Sequence, residues 1–321
     1  MHSFDELSLQ FTSHFEKVKF SSEPASLYDA TNYFLGIGGK RVRPVLCMMG
    51  NELFDEINPS AVNLGIAIEL FHNFTLVHDD IMDKAPLRRG LPTLHAKYGE
   101  STALLSGDVI LVEAYEYLNK IESTFLHRVL HLFNKTAKEV CEGQQLDMDF
   151  EKMEWVTLPE YLRMIELKTS VLLAASLQMG AILGGAGEGN QHHLYEFGRN
   201  LGIAFQIQDD YLDAFGDPKK FGKQVGGDIL ANKKTFLLIR ALEIAGADTK
   251  RSLQELLNSQ PADKVQQVLR IYKECRVDEW AIELKEQYLA KALVHLDNIA
   301  VLSARKEPLK QLARFLISRE Y

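Results

Sequence analysis

The segment Ser170–Gly185, SVLLAASLQMGAILGG, carries apolar or small side chains around most of its circumference when wound as a helix. NLGIAFQIQ, residues 200–208, has the same character. Helices without a wet face belong in the middle of a bundle, with other helices packed around them. The rest of the chain supplies those helices: VNLGIAIELFHNFTLVHDDIMD, STALLSGDVILVEAYEYLNKI, FLHRVLHLFNKTAKEVCEGQQLDMDF, LPEYLRMIELKTSVLLAASLQMGAILGGA and HHLYEFGRNLGIAFQIQDDYLDAF all recur at helical period. So do TFLLIRALEIA, ADKVQQVLRIYKECR and DEWAIELKEQYLAKALVHLDNIAVL. Alternating strand-like runs are missing, and the breakers GIGGKRVRP, KAPLRRGLPT, GGAGEGN and FGDPKKFGKQVGGD fall between helices. A chain of 321 residues is long enough for two average domains, but no low-complexity linker or solenoid repeat divides it. The expected fold is all-α: a single large helical bundle over residues 1–321 with a deep central apolar cavity and a subunit interface.

Against that background the acids are oddly placed. Asp79, Asp80 and Asp83 close the apolar run ELFHNFTLV, and Asp209, Asp210 and Asp213 close FQIQ. Asp79 and Asp83 share a helix face, while Asp80 points about 100° away from Asp79. Like charges at this spacing disfavour a helix by a few tenths of a kcal/mol, and burying them unpaired would cost much more. One DDxxD can be a solvated acidic face. Two copies, each ending an apolar helix, point to carboxylates facing each other across a bundle cavity around a cation. Hard oxygen ligands without histidine or cysteine clusters select Mg²⁺, which keeps waters and shares phosphate oxygens. His78, beside the first cluster, is expected to be packed or hydrogen-bonded rather than a ligand.

The charge balance narrows the partners. Lys and Arg number 36 against 44 Asp and Glu, a net charge of −8, so no basic excess is available for nucleic acid. An anionic ligand must then be met by local cations or metal ions. GIGGKRVRP gathers Lys40, Arg41 and Arg43 in a glycine-rich turn before Pro44, a loop feeding a helix N-terminus. Lys40 and Arg43, with Arg89 from LRRG, could hold an anion that brings no metal; alone, the turn would read as an exposed basic loop. The three cysteines, Cys47, Cys141 and Cys275, lie far apart, which fits reduced thiols in a cytoplasm. No run reads as membrane-spanning, and MHSFDELSLQF lacks the basic and apolar regions of a secretory leader.

In order and spacing, GGKRVRP, LVHDDIMD, RRG, LKT, FQIQDDYLDAFGDP, GK, GGDI and NKKT resemble the trans-isoprenyl diphosphate synthases, the farnesyl/geranylgeranyl diphosphate synthase family. The resemblance implies a prenyltransferase of the isoprenoid-synthase fold, homodimeric, cytoplasmic and without stable membrane insertion. It would condense isopentenyl diphosphate with an allylic diphosphate. By the same resemblance, Asp79, Asp83 and Asp209 coordinate Mg²⁺, three ions per site, with Asp80 and Asp213 in support. Arg88, Lys168 and Lys223 contact the allylic diphosphate. Lys40, Arg43, His72 and Arg89 bind isopentenyl diphosphate. Thr169 and Gln206 stand near the reacting carbons, and Lys233 is a further basic group, with Lys234 as its equally basic neighbour. Taken singly, Lys168 could be a surface lysine and Gln206 an interhelical hydrogen bond.

Product length in that family depends on the residues before the first aspartate motif. Phe74, five before Asp79, would be the floor, followed by the small Thr75, with Phe71 one turn deeper. This pattern implies a short-chain product, C20 ahead of C15. A helical wheel places Phe74 away from the Asp79 face, so its role rests on the resemblance. The tail ARFLISREY lacks the terminal basic cluster of eukaryotic farnesyl synthases, leaving tail closure of the isopentenyl site open. The rivals are a class I terpene cyclase, which the second DDxxD and GGKRVRP oppose, and a silent subunit of a heteromeric synthase, which would have lost aspartates or basic groups.

Overall fold

Local signals start the helices. In the computed structural model, which describes residues 1–217 and 225–318, Ser3 and Glu6 form a capping box at the head of α1 (Phe4–Phe15). Asn58 caps α4 (Pro59–Met82) by accepting from the Ala61 amide at 3.1 Å, with Pro59 in the first turn. Thr157 and Glu160 repeat the capping box for α8 (Leu158–Ile165).

Two compact units are distinguished. The first comprises residues 1–134, 175–194 and 300–308. It contains α1, α2 (Ala25–Gly36), α3 (Val42–Glu52), α4, α5 (Leu94–Tyr98) and α6 (Glu100–Leu118). Helix α4 packs against α3 and α6 and buries Leu64, Ala67, Ile68, Leu70 and Phe71. Between α4 and α5 lies the departure from an all-helical reading: a two-residue ribbon, β1 (Leu87–Arg88) and β2 (Leu91–Pro92), paired Leu87 to Pro92 and Arg88 to Leu91. Arg89 and Gly90 join the strands with φ of 52° and 79°, the signature of a type I′ turn.

The second unit comprises residues 135–174, 195–299 and 309–321. It takes up the C-terminal part of α7 (Ser123–Lys152), α8, a π turn at Glu166–Ser170 and most of α10 (Glu188–Phe215). The shorter helices α11 (Gly227–Leu230), α12 (Phe236–Ile244), α13 (Ala247–Leu257) and α14 (Lys264–Glu274) follow, then α15 (Val277–Asp297) and the end of α16 (Ser303–Ser318). Tyr161, Ile207, Phe236, Leu253 and Val277 anchor its core, each at most 1% exposed.

The apolar segment that opened the sequence becomes α9 (Val171–Leu183), whose apolar residues are all at most 6% exposed. Against expectation, two runs do reach the length of a membrane span. Pro59–Met82 and Leu158–Leu183 are long and apolar enough to cross a bilayer, each at mean hydropathy 1.2. Their apolar windows are 67% and 78% buried inside the fold, so these are core helices.

Candidate active site

Helix α4 ends in the first acidic motif. Asp83 caps it, its amide donating to the Asp79 carbonyl at 2.8 Å. Asp79 is half-buried and Asp83 exposed, one turn apart at the negative end of the helix dipole. Carboxylates there repel the helix carbonyls, so the arrangement calls for a cation. Asp80 plays another part. It is buried and accepts two parallel bonds from Arg88, Nε to Oδ2 and Nη2 to Oδ1, both 2.8 Å. The ribbon β1–β2 thus places Arg88 beside the motif with Nη1 outside this fork, and the type I′ turn sends Arg89 back to donate to the Gly38 carbonyl.

The donor set suits Mg²⁺. Among the described residues no three His, Cys, Asp or Glu side chains converge into a closed cage. Mg²⁺ takes one or two carboxylates and completes its shell with water and phosphate oxygens, so an Asp79–Asp83 pair with Asp80 neutralised is the appropriate offer.

Upstream on α4, the basic loop meets His72. Arg41 takes φ 51° at the head of α3, which turns its side chain onto the Phe15 ring, 4.4 Å from the centroid, and into an ion pair with the buried Glu69. Arg43, two residues on, approaches His72 Nε2 at 3.1 Å. A guanidinium only donates, so Nε2 accepts and the imidazole is neutral. Desolvation first, and then Arg43, Arg89, Arg88 and Arg41, hold the His72 pKa well below its usual value. Burial likewise pushes Arg43 down to about 10, still charged at neutral pH, with Glu69 opposing the shift. Four guanidiniums thus surround His72, of which Arg41 and Arg88 have carboxylate partners while Arg43 and Arg89 bond neutral acceptors. The Arg43 Nε is buried with no protein partner. This pocket lacks an anion's worth of negative charge.

His72 gives a pH signature. Its folded pKa is depressed, so the unfolded chain binds the extra proton and stability falls as pH drops below about 6.5. His72→Gln, which still accepts from Arg43, is expected to flatten that acid limb in urea melts between pH 5 and 7; an unchanged slope would refute the neutral, desolvated imidazole.

The second unit carries the other motif at the end of α10. Asp209 and Asp213 are half-buried, and Asp213 Oδ2 accepts from the Asp228 amide at 2.9 Å in the first turn of α11. Asp210 is buried, accepts from Tyr161 and Gln206, and has its pKa pushed up to about 7 by burial. The Asp228 carboxylate reinforces that shift, while Lys233 opposes it most and the bonds from Tyr161 and Gln206 oppose it less. The π turn carries Lys168 and Thr169: Lys168 Nζ donates to Asp147 Oδ2 at 2.5 Å, and Thr169 Oγ1 to Gln206 Oε1 at 3.2 Å. Two glycines make room for it. A Cβ on Gly143 of α7 would lie 2.3 Å from the Lys168 amide nitrogen, and one on Gly202 of α10 would lie 2.7 Å from the Ser170 Cα. A wide turn clamped between two helices at glycine contacts aims functional side chains in a way a regular helix would not.

The sequence pattern that defines polyprenyl synthetases matches residues 24–275. The chain belongs to the polyprenyl synthetase family. A geranylgeranyl diphosphate synthase of Methanosarcina mazei is 38% identical over 304 residues, 94% of this chain and 92% of its own. A short chain isoprenyl diphosphate synthase of Methanocaldococcus jannaschii is 40% identical over 304 residues, 92% of this chain and 90% of its own. The crystal structure of a geranylgeranyl pyrophosphate synthase superposes with a TM-score of 0.94 at 41% identity, covering each chain completely. The enzyme is accordingly an all-α isoprenyl diphosphate synthase, a short-chain prenyltransferase of isoprenoid biosynthesis, in a family that generally uses Mg²⁺.

The expected residues now have positions. Arg43, His72, Arg88 and Arg89 gather in the first unit, and Lys40 is exposed in the loop before α3. Lys168, Thr169, Gln206 and Lys233 lie in the second; Lys233 stands 3.9 Å from Asp228, whereas Lys234 donates to the Glu151 carbonyl. Lys223 lies outside the described residues. His78 is packed, its ring 4.6 Å from that of Phe74 and its Nε2 bonded to the Leu104 carbonyl at 3.2 Å. Sequence reading passed over Asp147 and Tyr161. Each acts through a partner remote in sequence, and no local spacing marks either one.

Proposed function

We propose that the enzyme condenses isopentenyl diphosphate with allylic diphosphates of C5 to C15 and releases geranylgeranyl (C20) diphosphate, with farnesyl (C15) diphosphate as the alternative product. The observation that carries this is on α4. His72, under the field of four guanidiniums, and Asp79, first carboxylate of the motif that closes the same helix, lie about 10 Å apart along α4. A substrate held by arginines and a substrate held through metal would then meet side by side.

In this reading Lys40, Arg43, His72 and Arg89 bind isopentenyl diphosphate. Asp79, Asp83 and Asp209 hold three Mg²⁺ ions, with Asp80 and Asp213 fixing Arg88 and α11 respectively. Mg²⁺ supplies the Lewis-acid pull that lets the allylic C–O bond break heterolytically. Arg88, Lys168, Lys223 and Lys233 stabilise charge on the departing diphosphate, and Thr169 and Gln206 stabilise the allylic cation. The isopentenyl double bond attacks that cation, and a proton leaves to the released pyrophosphate. A dry apolar cavity protects the cation from water.

For chain length, Phe74 sits in an aromatic file: 5.8 Å from Phe71, which meets Phe133 at 5.2 Å, which meets Tyr115 at 5.6 Å. Thr75 is tied to the His72 carbonyl at 2.8 Å and adds little bulk. The names of the M. mazei relative and of the matched structure support C20. Phe74→Ala is expected to shift the product to longer chains, with Phe71 then as the limit; an unchanged product distribution would remove Phe74 from that role.

A homodimer is supported by an exposed apolar strip on α6: Leu104, Leu105, Val112 and Tyr115, the second and third 55% and 62% exposed. A single domain over 1–321 is supported by one family match running through residues of both units. Three cysteines outside any disulfide among the described residues fit a cytoplasmic location. The deciding experiment incubates the purified enzyme with Mg²⁺, isopentenyl diphosphate and, separately, C5, C10 and C15 allylic diphosphates. A discrete C20 product is expected; primers consumed without isopentenyl diphosphate would overturn the reading.

A further inference from the structure

The two acidic motifs treat their middle aspartate differently. Asp80 is met by a cation, Arg88, whereas Asp210, at the same place in the second motif, is met by neutral donors. Tyr161, buried in α8, donates its hydroxyl to Asp210 Oδ2 at 2.5 Å, and Gln206 Nε2 donates to Asp210 Oδ1 at 2.9 Å. Thr169 Oγ1 then donates to Gln206 Oε1 at 3.2 Å.

The direction of this file is set from one end. Gln206 turns its NH₂ group to Asp210, which points the amide carbonyl at Thr169. The single hydroxyl proton of Thr169 is thereby committed to Gln206, and its lone pairs are what it can offer elsewhere. Bonds in such a file also polarise one another, pushing electron density from Asp210 toward the Thr169 oxygen. Asp80 gives both oxygens to Arg88, whereas Asp210 gives one to Tyr161 and one to Gln206, so it is the second motif that is hydrogen-bonded into such a file.

We propose that Tyr161 and Asp210 are positioning residues that set the direction of the Gln206 amide and so turn the Thr169 lone pairs toward the allylic cation. This rests on the reading above that Thr169 and Gln206 stand beside the reacting carbons. Tyr161 anchors the file because its ring is wedged in the core, 5.9 Å from that of Phe236, and the hydroxyl fixes which way the carboxylate faces. The π turn supplies Thr169 at the far end, held by the contacts with Gly143 and Gly202.

Tyr161→Phe keeps the ring and removes only the donor. In single-turnover assays on the full enzyme it is expected to slow condensation about tenfold, while Mg²⁺-dependent binding of the allylic diphosphate without isopentenyl diphosphate changes less than about twofold. In a Thr169→Val background the same substitution should add nothing further, and Thr169→Ser, which keeps the hydroxyl, should restore sensitivity to it. Asp210→Asn is the second variant and carries the test if Tyr161→Phe does not fold. Its NH₂ would face Gln206, reverse the amide and force Thr169 to accept, slowing chemistry without weakening binding. Effects of Tyr161→Phe and Thr169→Val that multiply, or a loss confined to binding, would overturn the proposal alone. A Thr169→Val enzyme with unchanged turnover would overturn it together with the placement of Thr169 at the reacting carbons.

Discussion

Asp79→Ala is expected to lower kcat by roughly 10³-fold while the metal-free protein becomes slightly more stable, and Asp209→Ala to lower kcat alike. The two halves of this expected result share one cause. Asp79 lies in the last turn of α4, where the helix dipole is negative, whereas Asp209 stands six residues before the end of α10, beyond most of that field. Removing an acid from the last turn relieves repulsion of about 0.3–1 kcal/mol when no cation is bound. In the proposed site, the same removal takes away a carboxylate ligand from the ions that would draw charge onto the leaving diphosphate. Thermal melts in chelator and steady-state kinetics in Mg²⁺ read the two effects separately. Asp80→Asn makes the contrast: it breaks the fork with Arg88 and should lower melting temperature as well as activity, because a part-buried guanidinium loses the charge of its buried carboxylate partner. Retained turnover in Asp79→Ala would sink the metal assignment. A drop in stability matching that of Asp80→Asn would instead mean that Asp79 is a structural acid.

Much of the architecture was legible because it is written in local terms. Ser3 with Glu6, Asn58 with Pro59 and Thr157 with Glu160 announce helix starts within four residues, and an apolar circumference announces the burial of α9. The acidic motifs were legible because they contradict their setting: acids at the ends of apolar helices demand a cation. What stayed hidden depends on contacts remote in sequence. LPEYLRMIELKTSVLL reads as one continuous helix, and nothing within it signals the π turn at Glu166–Ser170; the room for that turn comes from Gly143 and Gly202 on other helices. The wheel that turned Asp80 away from Asp79 was right, but its partner, Arg88, needed the ribbon to bring it back. Arg41 and Arg43 look equivalent in GGKRVRP. A single left-handed backbone step at Arg41 goes with pairing that residue to Glu69, while Arg43 meets His72.

That division makes Arg43→Met and Arg41→Met opposite experiments. Arg43 bonds neutral His72 and keeps a buried Nε with no protein partner, so its charge is unspent in the folded protein. Replacing it with an apolar chain of similar length removes a charge-assisted contact to an anion and should raise KM for isopentenyl diphosphate by roughly 10²-fold, with kcat and the allylic KM little changed. The fold should hold or gain, since desolvation already pushes this guanidinium down to about 10. Arg41 is the reverse. Its side chain is 9% exposed against a Glu69 that is 4% exposed, and breaking such a pair strands a buried carboxylate at a cost of about 3–5 kcal/mol. Against a typical stability of about 5–15 kcal/mol, Arg41→Met should melt far below the parent before any kinetic change can be read. An Arg43→Met enzyme with parental KM for isopentenyl diphosphate would move that substrate away from His72. An Arg41→Met enzyme of parental stability but weakened isopentenyl binding would exchange the two arginines' roles, and with them the reason for the left-handed step at the head of α3.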